Sequence, residues 1–241
     1  MRSVLITGAT SGIGKKLAED YARLGWQVIA CGRNQEKLQQ LSSLSTSVHC
    51  LQFDLTQREQ TLAALSQLPL TPTLWILNAG DCEYIDDGVM DAKLMARVFE
   101  INVIGLANAI EGIQPHLSAG HRVAIVGSIA SELALPRAEA YGASKAAVAY
   151  LANTLRLDWS QREIAVSTIF PGFVATPLTD KNTFNMPMIV TAEQASQRIR
   201  HGLERGQDCI YFPRRFTWII RCLGVLPYSW QHRLIRRFFR T

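Results

Sequence analysis

A chain of 241 residues, 48% hydrophobic and 19% charged, has ample material for a buried core, which excludes an intrinsically disordered protein. The net charge of +5 suggests a nucleic-acid partner only until it is located, because seven arginines and no acid lie from Arg214 to the end. The basicity belongs to a tail, and the five cysteines (Cys31, Cys50, Cys82, Cys209, Cys222) lack the CxxC pairs or histidine cluster of a metal site. They read as reduced thiols of a cytoplasmic protein.

The first apolar run, Val4 to Ile6, meets glycine at once, which is too little for a signal-peptide core. No segment reaches the roughly 18 apolar residues of a membrane span. Ser3 to Ile6, Gln27 to Cys31, Val48 to Phe53, Leu74 to Leu77, Arg122 to Val126 and Ala165 to Phe170 read as strands buried on both faces, separated by helix-length connections. That alternation predicts an α/β fold with a doubly wound parallel sheet, Rossmann-like, in one domain over residues 1–213. Residues 214–241 form a separate basic, amphipathic tail.

The first strand runs into Thr7-Gly-Ala-Thr-Ser-Gly-Ile-Gly14, and an amphipathic stretch from Lys15 to Leu24 follows. Glycines at 8, 12 and 14 allow a tight turn and a close backbone approach, aiming a helix N-terminus at a pyrophosphate. Gly14-Lys15 also looks like the end of a P-loop NTPase motif. That motif needs glycine where Ala9 stands and Ser or Thr where Lys16 stands, so the NTPase reading fails.

Further along come Asn78-Ala-Gly80 after the fourth strand, Asn102 in the next helix and Ser128 at the end of the fifth strand. Tyr141-Gly-Ala-Ser-Lys145 opens another helix, and Pro171-Gly172 with Thr176 closes the sixth strand. With the glycine spacing, this order resembles the short-chain dehydrogenase/reductase family over about residues 3–212. Tyr141 and Lys145 stand four apart and share a helix face, where an ammonium is expected to lower the pKa of the phenol.

The resemblance implies an NAD(P)-dependent oxidoreductase in which Tyr141 protonates a carbonyl oxygen and Ser128 hydrogen-bonds it. Lys145 would hold the nicotinamide ribose, and Asn102 would position a relay water. The cofactor set it implies is Gly8, Thr10, Ser11, Gly12, Ile13, Gly14, Arg33, Asp54, Leu55, Asn78, Ala79, Gly80, Tyr141, Lys145, Pro171, Gly172, Val174 and Thr176, with no metal. The second strand ends in Cys31-Gly-Arg-Asn34, with no acid for the adenosine ribose and with Arg33 able to pair with a 2′-phosphate. NADP(H) is therefore expected over NAD(H), and Lys15 could add a second cation. A dinucleotide-binding regulator or scaffold without turnover is the alternative.

Pro177 to Val190 falls where the family keeps a substrate lid. Phe184, Met186, Pro187, Met188 and Ile189 would make an apolar wall for a hydrophobic carbonyl or alcohol, with Asp180 and Lys181 facing water. Small residues such as Ala143, Ala146, Ala147 and Ala149, with helices around 92–116 and 141–160, suggest a homo-oligomer, either dimer or tetramer. In the tail, Trp230, Leu234 and Phe238 repeat every four residues, with Arg233, Arg236, Arg237 and Arg240 opposite. That suits either a peripheral contact with an anionic membrane, at its inner face, or an amphipathic helix docked on its own protein. No nucleic-acid partner is expected.

Overall fold

The computed structural model describes residues 2–86, 88–182 and 184–238. Arg240 and the side chain of Phe238 lie outside the described residues. In chain order the elements are β1 (Ser3–Thr7), α1 (Gly12–Arg23), β2 (Gln27–Gly32), α2 (Gln35–Ser42), β3 (Val48–Gln52), α3 (Arg58–Ser66), β4 (Leu74–Leu77) and α4 (Ala92–Phe99). A π-helical turn, Glu100–Ile104, leads into α5 (Gly105–Ile113), followed by β5 (Arg122–Val126), α6 (Glu139–Ser160), β6 (Ala165–Pro171), β7 (Val174–Ala175) and β8 (Val190–Thr191). The chain ends with α7 (Ala192–Glu204), β9 (Cys209–Phe212), α8 (Arg214–Gly224) and α9 (Tyr228–Phe238).

Seven strands form one parallel sheet in the order β3-β2-β1-β4-β5-β6-β9. Successive side chains of a strand face opposite sides. Val4 and Ile6 therefore join Leu17 and Tyr21 of α1, Leu38 of α2 and Ile199 of α7 in one layer. Leu5 points the other way, into a layer with Leu65 of α3, Ile110 of α5 and Val148 of α6. Both faces are covered, which explains the nearly unbroken apolar runs of the central strands. The sheet order reverses between β1 and β4, and the crevice at their carboxyl ends is where a doubly wound fold binds its ligand.

Two local expectations change. Phe53 lies just beyond β3, and β9 is a seventh strand that the apolar pattern did not reveal. It is only four residues long, paired to β6 alone, with Ile210 and Phe212 buried and Cys209 exposed. The tail is likewise not free of the body. Phe216, Ile220 and Ile235 pack with Ile129 and Leu133 of the β5–α6 connection, each buried side chain contributing about 1.5–3 kcal/mol. On α9 the buried positions are Gln231 and Ile235, so the docked stripe is displaced from the expected Trp230–Leu234–Phe238 row. Gln231 is satisfied by donating to the carbonyls of Gly224 (3.0 Å) and Leu226 (2.7 Å).

Candidate active site

A cleft of about 440 Å³ opens at the β1–β4 crevice, lined by Gly8, Thr10, Ser11, Gly12, Ile13, Arg33, Asp54, Leu55, Asn78, Ala79, Gly80 and Thr176 among others. A deeper pocket of about 110 Å³ shares Ile13, Asn78, Gly80 and Thr176 with it and adds Ser128, Tyr141, Lys145, Pro171, Gly172 and Val174. The two therefore form one trough from the glycine-rich turn to the Tyr–Lys pair. Gly8 has φ +66°, and a Cβ there would sit 2.9 Å from the Cα of Ala79. Gly14 lines neither part, and its reason is internal: a Cβ would lie 2.3 Å from the carbonyl oxygen of Gly8, so only glycine lets α1 approach β1.

The first turn of α1 holds no acid, and Ser11 makes no side-chain cap hydrogen bond. Its leading N–H groups are thus available to a phosphate. Arg33 stands at the mouth with its side chain 65% exposed, 3.6 Å from a carboxylate oxygen of Asp54. The other oxygen of Asp54 accepts from the N–H and hydroxyl of Thr56. Lys15 turns along its own helix toward Glu19, 3.8 Å away. Lys181 is exposed, as expected, and also lines the cleft, where it brings a cation. The residues present thus fit a dinucleotide phosphate and an adenosine phosphate.

At the deep end, Ser128 caps a short 3-10 turn, accepting from the N–H of Ala130 at 3.1 Å, and its hydroxyl hydrogen-bonds that of Tyr141. Lys145 is buried, donates to the carbonyl of Val126 at 3.0 Å and lies 5.8 Å from the centre of the Tyr141 ring. Burial pushes the lysine down to about 8, partly offset by Cys82. Burial and then Cys82 push the Tyr141 phenol above its ordinary value, and the Ser128 hydrogen bond draws it back. Lys145 is not among the groups that move the phenol in the protein without its cofactor. The ammonium is itself desolvated and tied to Val126, so burial outweighs it in the protein's own balance of groups.

Asn102 sits in the π-helical turn and is 2% exposed. Its Oδ1 accepts from the N–H of Asp81 (2.8 Å), while its Nδ2 donates to the Asp81 carbonyl and the Ser144 hydroxyl, both at 2.9 Å. The side chain is thus spent on clamping the strand-end loop onto α6, behind the trough. Asn102→Ala would strand both backbone groups of Asp81. The expected cost is about 1–3 kcal/mol, read as a fall in Tm; an unchanged Tm would remove the clamp.

Beside Tyr141 lie residues that no motif announced. Cys82 is buried with its thiol pushed up to about 11, chiefly by burial, and Tyr84 hydrogen-bonds both Cys82 and Asn182. Of the expected lid residues, Phe184 and Met186 are half-buried, whereas Pro187, Met188 and Ile189 are exposed. Phe184 packs edge-on against Tyr84 (5.2 Å) and near Phe173 (6.0 Å), and the Arg137 guanidinium lies over the Tyr84 and Phe184 rings. An apolar wall therefore exists, but it is aromatic and built from three separate segments.

Comparison with known proteins agrees with this geometry. A family model described as short chain dehydrogenase matches residues 2–186. An uncharacterized oxidoreductase of Myxococcus xanthus is 31% identical over 94% of this chain and 93% of its own. A serine 3-dehydrogenase of Rhizobium radiobacter is 32% identical over 73% of this chain and 74% of its own. Among solved structures, a short chain dehydrogenase of Burkholderia cenocepacia in complex with NADP superposes with a TM-score of 0.86 at 26% identity, covering 98% of this chain and 99% of that one.

Proposed function

The chain belongs to the short-chain dehydrogenase family and is an NAD(P)-dependent oxidoreductase, and we propose that it is an NADPH-dependent reductase of hydrophobic ketones or aldehydes. The observation that carries this reading is the single trough joining the glycine-rich turn to Ser128, Tyr141 and Lys145. Reduced nicotinamide, when bound, supplies the hydride. Ser128 and Tyr141 present their hydroxyls to the carbonyl oxygen, and Tyr141 gives its proton to the oxygen as negative charge develops there. A developing alkoxide is far more basic than a phenolate, so even a phenol held above its ordinary value donates downhill. Lys145 offsets the charge left on Tyr141 and would hold the cofactor ribose. An intact Ser–Tyr–Lys set argues against a scaffold without turnover.

Arg33 supports the choice of NADPH, since its guanidinium is exposed at the mouth and only loosely paired with Asp54. Arg33→Ala is expected to raise the KM for NADPH about tenfold, the worth of one charged phosphate contact, with little change for NADH. Equal effects on both cofactors would remove Arg33 from 2′-phosphate recognition.

The aromatic wall of Tyr84, Phe173 and Phe184 supports an apolar substrate. NADPH oxidation measured against carbonyl compounds graded by chain length tests this directly. Turnover confined to small polar carbonyls would exclude a hydrophobic substrate. The exposed Ile104, Tyr150 and Leu157, near or on the helices 92–116 and 141–160, support a homo-oligomer through that face. Among the described residues no helix is long and apolar enough to cross a membrane, and the basic tail supports peripheral attachment at the inner face of one.

A further inference from the structure

The tail helix α8 has two apolar faces. Phe216 and Ile220 are buried against the body, while Trp218 is 66%, Ile219 45% and Val225 83% exposed. On a 3.6-residue period Trp218, Cys222 and Val225 project opposite Phe216 and Ile220, on the side that a docked surface helix normally fills with polar groups. The pattern continues with Tyr228 and Trp230, 77% and 61% exposed. Arg214, Arg215, Arg233, Arg236 and Arg237 are exposed among them. No acid occurs from Arg214 onward, and none of these five arginines forms an ion pair among the described residues.

We propose that the outer face of α8 and α9 docks on an anionic lipid bilayer, with the tryptophans entering the headgroup boundary and the arginines meeting lipid phosphates. Exposed tryptophan interleaved with unpaired arginine fits that interface, where apolar insertion and charge attraction add. A second copy of the chain is a poorer partner. A two-fold contact would bring the same acid-free patch from each subunit together, arginine against arginine. Nucleic acid would leave the exposed Trp218, Ile219 and Val225 facing a polar, charged surface.

The docked face lies directly behind the substrate lid. Phe216, on the inner side of α8, packs on Phe173 (5.5 Å between ring centres), and Phe173 packs near Phe184 of the lid. A Cβ on Gly172 would sit 2.8 Å from the Phe216 ring, so α8 also braces the Pro171–Gly172 loop. Bilayer contact therefore sets the aromatic wall beside the lipid phase, and an apolar carbonyl enters from the membrane. This second half rests on the reductase reading, whereas the docking does not.

Sedimentation of the full chain, without cofactor, with vesicles of phosphatidylcholine alone or of equal parts phosphatidylcholine and phosphatidylglycerol separates the two. Binding is expected only to the anionic vesicles, with a blue shift of tryptophan emission. The double variant W218E/W230E should weaken it about tenfold or more, the scale of two lost insertions, while NADPH affinity and turnover of a short, water-soluble carbonyl stay unchanged. The variant R233Q/R236Q/R237Q, altered only at exposed positions, should weaken binding without disturbing the fold.

No binding to either vesicle, or equal binding to both, overturns the docking. So does self-association that the tryptophan variant abolishes, or retention on DNA that survives it. If docking holds but a long-chain carbonyl in vesicles is reduced no faster than the same compound in detergent, membrane delivery is wrong and the docking surface stands.

Discussion

Tyr141→Phe is expected to lower kcat for carbonyl reduction by about 10²–10⁴-fold, the usual contribution of a positioned proton donor, while the Kd for NADPH stays within about twofold. The substitution deletes one hydroxyl and keeps the ring. What is lost is the proton that must reach the substrate oxygen and the partner of Ser128, so the fall belongs in kcat more than in KM. Cofactor titration by fluorescence, together with steady-state rates on whichever carbonyl the chain-length series identifies, separates the two quantities. Retention of most of the wild-type turnover would show that another group delivers the proton. Tyr84 would be the first to examine, since it lies close enough to Tyr141 for that residue to help raise its pKa, which burial chiefly raises.

What could be read without coordinates is what the chain writes locally. The turn from Thr7 to Gly14 is contiguous, and Gly14 answers to the carbonyl of Gly8 within it, although Gly8 and Gly12 answer to the distant Ala79 and Thr176. Tyr141 and Lys145 are one helical turn apart, so their juxtaposition needs no tertiary knowledge. The central strands are legible because burial on both faces leaves them apolar throughout.

What stayed hidden depends on long-range contact. β9 is a four-residue edge strand, too short for a periodic signal to separate it from a loop. Lys181 reaches the cleft because of where the lid folds, and Cys82 and Tyr84 face Tyr141 across more than fifty residues of chain. On α9, periodicity identifies an apolar row but not which of two rows meets the body. The exposed Trp230 and buried Gln231 reverse the ordinary order of burial.

Lys145→Met is expected to cost at least about 10²-fold in turnover and, independently, to change how stability depends on pH. In the folded protein Lys145 titrates near 8, against about 10.4 for a lysine in the unfolded chain. Below about pH 8 both states hold the proton, and the cost of burying the ammonium stands in full. As pH rises beyond that, the folded protein releases a proton that the unfolded chain still binds, so wild-type stability increases. Between about pH 7 and 9.5 this amounts to about 2 kcal/mol relative to Lys145→Met, which has no such group. Above about pH 10 both proteins lose stability together, because Tyr21, Tyr84, Tyr141 and Tyr211 are all held above their ordinary values and ionise first in the unfolded chain. Urea unfolding of both proteins at intervals through this window reads the difference directly, since titrations common to both cancel. Parallel curves would mean that Lys145 keeps an ordinary pKa and is not desolvated beside Tyr141. A converging pair with the wild type gaining would identify Lys145 as a residue held at a cost to stability, with its contribution realised in the charge left on Tyr141 after proton transfer.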